Sequence, residues 1–397
     1  MGSLISLGIG HLEIDWGKNS FFNNHSKLFL PVDRKPATYY YADNIREQKP
    51  ALVRPLASVK ERLEFLGYTL EYCRDSFYDL LAYHSENLDD PFSDFDTFSK
   101  VLLHVDVDKQ KLPDEPDYYD LGEYVTKNIL QDSEFIKTLP SLDKLNRFQG
   151  TFYENIDPYI VLRLLAENAA NLDKHVIWRY SDVLDGGWTN QDELFAGLHN
   201  SDKYLVVTEG GSDSKILMQS LEPLYPHVAD FFNFIDMSEN YPFTGTGNVY
   251  RFCQGLASIK IQNKILVVLD NDTSGNEIID KIRSVDLPSS MYVTTLPNLP
   301  DFESFSTIGP SGASREDING KAVSIELFLD HHYDATDTPT IRWSSYNQTM
   351  DQYQGELVNT GHYTRLFLNH GWRDGAYDYS KLGILWKHLL DVCKGGI

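Results

Sequence analysis

The chain has 397 residues, 42% hydrophobic and 13% aromatic, enough material for two or three domains with real cores. Asp and Glu outnumber Lys and Arg by 58 to 35, a net charge of −23. This excludes a protein that grips phosphate backbones by general surface charge. A nucleic-acid role needs metal ions, a local basic groove or a partner chain to supply positive charge. Three cysteines, Cys73, Cys253 and Cys393, stand far apart with no CxxC pair, which excludes a zinc ribbon and a disulfide framework and fits a reducing cytoplasm. The opening MGSLISLGIGHLEIDWGKN lacks a basic region and a long apolar run, so no signal peptide is expected. No apolar stretch approaches the roughly 20 residues of a transmembrane helix.

Along the chain, residues 3–16 alternate apolar and polar and read as one or two strands with a turn at Gly8 and Gly10. ATYYYA (37–42) is strand-like. Ser58 and Glu61 form a capping box, and Val59, Leu63, Leu66, Leu70, Phe77 and Leu80 then follow at helical spacing. The acidic, proline-bearing segment 104–120 reads as a loop. A first α+β domain is expected over 1–150. Asp157-Pro158 opens a helix, with Asp as N-cap and Pro in the first turn, in a helical connector over 151–202. From 203 the texture changes: YLVVT (204–208), DFFNFI (230–235), KILVVLD (264–270) and MYVTTL (291–296) alternate with helical patterns. Continuous apolar strands separated by helices predict an α/β domain over 203–330, a parallel sheet with helices on both faces. A small α+β extension, 331–397, holds TIRWSSY and helical stretches near 362–369 and 379–393.

Ligands bind beyond the carboxyl ends of parallel strands, and two acidic motifs stand at those ends. Glu209 follows YLVVT and opens the turn Glu209-Gly210-Gly211-Ser212-Asp213; the glycines permit a tight turn, and Ser212 or Asp213 can cap the next helix. Asp270 ends KILVVLD, and Asp272 follows one residue later, so in extended chain the two carboxylates share a side while Asn271 points away. Either motif alone also serves as a helix cap or turn. Together, in order on two apolar strands, they read as a hard oxygen nest suited to Mg2+, with Mn2+ as substitute, which keeps waters and takes substrate phosphate for its remaining ligands. GTGNVYR (245–251) is glycine-rich without a P-loop pattern; Arg251 and Lys260, on the helix it caps, are candidate phosphate contacts. His331-His332 reads as surface loop, since adjacent side chains seldom converge on one ion. Trp343, Tyr346 and Tyr353 read as packed core or interface, with base stacking as the alternative.

VVTEGGSD and VVLDNDTSG together resemble the Toprim domain, the module shared by bacterial primases, topoisomerases, recombination-repair proteins and overcoming-lysogenization-defect nucleases. The resemblance covers 203–283. It implies that Glu209 is metal ligand or general acid/base and that Asp270 and Asp272 hold magnesium. GKAVSIELFL (320–329) resembles the segment with which the overcoming-lysogenization-defect nucleases complete their site. That likeness gives Glu326 a second metal and Lys321 the transition-state phosphate; the plain alternative is a solvent-facing Glu326 on a helix carrying Val323, Ile325 and Leu327. IDWGKN (14–19) and RLEFLGYTLEYC (62–73) resemble the HEPN/Toprim-associated N-terminal domain, found in bacterial settings suggestive of anti-phage defence or toxin action. Arg74, Arg163 and Arg179 lack a His at the RxxxxH spacing of the HEPN kind.

These readings imply a metal-dependent endonuclease acting on DNA or RNA, in the cytoplasm, with a partner protein or self-association gating it and no membrane. The competing reading is a regulatory module that binds nucleic acid or protein without turnover. Primase and topoisomerase activities fit poorly: zinc-ribbon cysteines are missing and the chain is too short for gate domains.

Overall fold

The structure is a computed structural model and describes residues 2–10, 12–41, 45–83, 94–108, 121, 124, 155–235, 245–333, 338–370, 375 and 377–395. The expected loop at 104–120 and the expected boundary near 150 fall largely or wholly outside the described residues. Two compact units divide the chain, Met1–Leu198 and His199–Ile397.

The first unit is built on an antiparallel sheet. Strands β1 (Leu4–Ile9), β2 (Leu12–Lys18), β3 (Arg34–Tyr40), β4 (Arg46–Pro55) and β5 (His175–Arg179) stand in the order β2-β1-β5-β4-β3. The β1–β2 turn falls at Gly10, whose φ of 57° favours glycine; Gly8 instead sits at a register shift within β1. Helices α1 (Leu56–Phe65), α2 (Leu70–Tyr83), α3 (Phe95–Leu103) and α4 (Pro158–Leu165) pack over Leu7, Ile9, Val176 and Trp178 in one core. The long helix expected from Ser58 is two helices. The chain enters α1 at Leu56, without a side-chain cap, and breaks at Gly67, φ 97°, where Tyr68 N–H donates back to Leu63 O. Asp157 caps α4 as its sequence predicts, accepting Tyr159 N–H at 2.9 Å, with Pro158 in the first turn.

One boundary needs correction. Residues 151–202 are no connector: β5 is the middle strand of the first sheet, and α4 lies in its core. Two short helices, α5 (Ser181–Asp185) and α6 (Gln191–Leu194), follow in the same unit.

The second unit carries the predicted parallel sheet. Strands β6 (Tyr204–Thr208), β7 (Phe232–Phe234), β8 (Lys264–Leu269) and β10 (Met291–Thr295) stand in the order β10-β8-β6-β7, all parallel; β9 (Asn271–Asp272) lies outside it. On one face Ile265, Val267 and Leu269 meet Val249 and Cys253 of α8 (Thr246–Ser258) and Ile278 and Ile282 of α9 (Thr273–Arg283). The other face meets α7 (Gly211–Leu224) and α11 (Ser380–Cys393). There Trp386 packs edge-on to Phe232 and donates to Ser220 Oγ at 2.9 Å, and Tyr204 donates to Cys393 O. Residues 331–397 are therefore no appendage, because α11 covers a sheet face. A mixed sheet, β12-β11-β14-β15, is formed by β11 (Phe305–Gly309), β12 (Gly312–Glu316), β14 (Ile341–Asn347) and β15 (Gln352–Leu357), and helix α10 (Thr360–His370) follows it. The two-residue β13 (Ala322–Val323) pairs with β9.

Candidate metal centre

Strands β6 and β8 are parallel neighbours, with Thr208 opposite Val268, so Glu209 and Asp270 leave the same sheet edge side by side. Asp270 N–H donates to Glu209 Oε1 at 3.0 Å. Asp272 is the N-cap of α9, accepting Gly275 N–H at 2.7 Å. Helix α9 begins so close to Asp270 that a Cβ on Gly275 would collide with the Asp270 carbonyl oxygen; only glycine fits there. Gly210 is less constrained: its backbone is extended, and a Cβ would meet only ordinary contacts. Asn271 turns away from the two aspartates, as alternation requires, and donates to Asn298 Oδ1 at 2.6 Å.

Two more carboxylates join the three. Asp213 closes the capping box of α7, accepting Gly210 N–H at 2.9 Å, and its charge opposes those of Asp270 and Glu326. The Glu-x-x-x-Asp spacing in EGGSD was its sequence signal, read there only as a cap. Glu326 is buried, on a 3-10 turn (Ile325–Phe328) rather than on a solvent-washed helix; Ser324 Oγ donates to Oε2 at 2.8 Å and Thr364 Oγ1 to Oε1 at 3.4 Å.

Burial and like charge act together here. Burial, then the Asp272 and Asp213 charges, push Glu209 up to about 8, although Asp270 N–H pulls it down. Burial and Glu326 push Asp213 up to about 7. Asp270 lies well above the usual carboxylate range, from burial and then Asp213, Glu209, Asp272 and Glu326. Asp272 is raised by burial, against the hydrogen bonds from Gly275 and Gln354. Among the described residues, no Lys or Arg forms an ion pair with any of these five acids. Hard oxygens without a protein counter-cation fit a divalent metal ion by chemistry. Among the described residues no three acidic, His or Cys groups yet converge as a ligand set. The nest offers donors rather than a closed cage.

The C-terminal hairpin β14–β15 completes the site. Gln354 donates from Nε2 to Asp272 Oδ2 and accepts Ser274 N–H at Oε1, 3.0 Å, while Thr273 Oγ1 donates to Tyr353 O at 2.9 Å. Sequence reading missed Gln354 because nothing local ties it to a turn 80 residues upstream.

The remaining predicted residues scatter. The Lys321 backbone bridges to Asp272, but its ammonium donates to Asp317 O at 3.1 Å. Helix α8 begins beside Glu209, where Gly245 N–H donates to Glu209 O at 3.1 Å. Arg251 is exposed midway along α8. Lys260 lies beyond its far end, roughly 20 Å along the axis, so it is not brought to the nest. His331 is buried rather than on a surface loop: its ring stacks edge-on to Tyr363, and burial pushes its imidazole down to about 4. Tyr346 and Tyr353 are exposed and face each other, ring centroids 5.1 Å apart, instead of entering a core.

Comparison with known families matches residues 1–202 to the HEPN/Toprim N-terminal domain 1, just over half of the chain, and the protein belongs to that family. Trp16 and the Arg62 segment, which carried the resemblance, are structural: Trp16 packs on the first core, and the fully buried Arg62 donates to Lys27 O at 2.9 Å. No curated protein and no solved structure matches the chain. Among the described residues, no helix is long and apolar enough to cross a membrane.

Proposed function

We propose that the second unit is a Toprim-like, metal-dependent endonuclease that cuts nucleic-acid phosphodiesters, working in bacterial defence or as a toxin-like effector. One observation carries this reading: the half-buried Glu209, Asp213, Asp270 and Asp272 and the buried Glu326 stand near enough at the carboxyl edge of a parallel sheet to oppose one another's charge, with no ion-paired cation among the described residues. Glu209, Asp270 and Asp272 would hold Mg2+ or Mn2+, with Asp213 beside them and Glu326 available for a second ion. A divalent ion there supplies Lewis-acid stabilisation of the phosphate and a water of lowered pKa. Burial and like charge raise Glu209 to about 8, so if it does not itself ligate the ion it would hold a proton that can move near neutral pH, the property a general acid/base needs; ligand and acid/base are alternative roles for it. The family, whose name joins the first unit to HEPN and Toprim modules, supports the defence context.

A second reading, a regulatory module without turnover, draws on one observation. Both oxygens of Asp272 are already engaged, by Gly275 N–H and by Gln354. The test is incubation of the full chain with labelled DNA and RNA in Mg2+, Mn2+ or chelator. Metal-dependent cutting that falls by on the order of a thousandfold or more in Asp270→Asn is expected. Absence of cutting on every substrate in both metals would overturn the nuclease reading in favour of the regulatory one.

A further inference from the structure

On the second unit a cavity of 480 Å³ opens between the β11–β12 hairpin, the segment Phe328–His332 and the start of α11. Two cations line it, Arg315 and Lys381, the latter 3.7 Å from Asp301 Oδ2. The guanidinium is spread over Ser304 Oγ at 3.2 Å, Ser306 Oγ at 3.5 Å and Ser304 O, and among the described residues no carboxylate lies within ion-pair distance of it. In a chain with 23 excess acids, an arginine held open by hydroxyls and a carbonyl is one whose anion comes from elsewhere.

The cavity's own acids are largely spoken for. Asp330 accepts the N–H groups of His332 at 2.9 Å, Tyr333 at 3.2 Å and Asp378 at 3.0 Å, and Asp378 accepts Ser380 N–H at 2.8 Å and its hydroxyl at 3.0 Å. Its accessible apolar lining is Pro300 and Pro339, while Phe305, Phe328 and Leu329 are buried behind the surface. His331 donates from Nε2 to the Glu326 carbonyl at 2.8 Å, so the neutral ring offers Nδ1 as an acceptor. A planar-fork cation with neighbouring hydroxyls suits a phosphate, an apolar lining suits a base, and a lone acceptor suits a sugar hydroxyl or ring amine.

We infer that this cavity is a binding site for a nucleoside phosphate, with Arg315, assisted by Lys381, on the phosphate and Pro300 and Pro339 beside the base. No lining residue belongs to the carboxylate nest, so the inference stands apart from the nuclease reading. The two touch at the Glu326 carbonyl, which accepts from His331 Nε2 at 2.8 Å and from Leu329 N–H at 3.2 Å.

The test is calorimetric titration of the full chain in chelator with adenosine and guanosine 5′-monophosphate, the two nucleosides, inorganic phosphate, and a short single-stranded oligonucleotide. Arg315→Gln serves as the variant, since Arg315 is exposed and bonded only to two serines. The nucleotides should bind about tenfold or more tightly than the nucleosides, and Arg315→Gln should erase that difference while leaving nucleoside affinity and melting temperature alone. Asp270→Asn should bind as wild type does. Tighter binding of the mononucleotide than of the oligonucleotide identifies a free ligand; the reverse identifies a unit of a strand. No binding by wild type, an unchanged phosphate contribution in Arg315→Gln, or inorganic phosphate binding as tightly as the nucleotides would each overturn the site.

Discussion

The two units bury charge in opposite ways. In the first, buried cations meet acids: Arg54 with Asp33 at 2.8 Å, Arg163 with Glu64 at 3.2 Å and Arg179 with Glu13 at 2.9 Å. In the second, Glu209, Asp213, Asp270, Asp272 and Glu326 repel one another and have no cation among the described residues. Desolvating a charge costs several kcal/mol unless something compensates it. The first unit compensates internally, so its buried charges are architecture. On the proposed reading the second leaves the compensation to a divalent ion, which would make its crowded carboxylates a site. The same chemical groups thus have different meanings, decided by whether the opposite charge is built in.

The comparison breaks most visibly if both units answer a charge removal alike. Arg54→Leu strands Asp33, which keeps only Leu30 N–H at 2.7 Å, in a buried setting. We expect a loss of about 3–5 kcal/mol, read by denaturant unfolding of the first unit's transition. A loss below about 1 kcal/mol would mean that the pair is solvated in practice and that the contrast between the units is not one of compensation.

Removing a charge from the nest should do the reverse. Glu209 near 8 and Asp213 near 7 keep protons in the folded state that the unfolded chain has already released. Their contribution is therefore full at low pH and is lost as pH rises through those values. His331, pushed down to about 4 from 6.5, acts oppositely below pH 6.5, so pH 6.5 to 8 isolates the nest. In chelator, melting temperature should fall across that window. Asp270→Asn should flatten the slope and raise the melting temperature by about 2–4 °C for each kcal/mol of repulsion relieved. Divalent ion should protect wild type increasingly as pH rises, because binding competes with protons. A flat profile in chelator, checked by scanning calorimetry, would mean that the carboxylates do not crowd.

Much of this contrast was readable before any coordinates, and the part that was not has a common cause. YLVVT and KILVVLD are continuous apolar runs, so their strands, their parallel pairing and the acids at their ends all follow from local pattern. β5 shows no such independence: HVIWR is an ordinary short run whose place between β1 and β4 is set by pairing across more than 100 residues. The helix break hangs on the left-handed conformation of Gly67, inside an otherwise unbroken helical period. Asp213 and Gln354 were missed at the site for related reasons. The first already had an adequate local role as a cap, and the second acts only through a contact between distant segments. Residue types and spacing reveal who stands at a strand end; they do not reveal who leans in from another sheet.

The smallest expected effect tests that last point. Gln354 Nε2 donates to Asp272 Oδ2 while Gly275 N–H holds Oδ1, so the carboxylate is fixed between a helix terminus and a hairpin. Each oxygen retains a further lone pair for a metal ion, and the amide donor favours the ionised form, the one that ligates. Gln354→Ala should therefore weaken divalent-ion affinity by about tenfold or more, as loss of a partner behind a ligand does elsewhere. The fold should survive, because the Gly275 cap remains and Thr273 Oγ1 still donates to Tyr353 O. The weakening should grow as pH falls, since Asp272 then loses the donor that held its proton off. Gln354→Glu should do worse than alanine in affinity at low metal, having no donor and one more negative charge facing Asp272. Calorimetric titration with Mg2+ and Mn2+ across pH 6.5–8 reads all of this. Unchanged affinity in Gln354→Ala would make the hairpin mere packing. Raised affinity would show that the amide competes with the metal for Oδ2, turning Gln354 from a positioning residue into a brake.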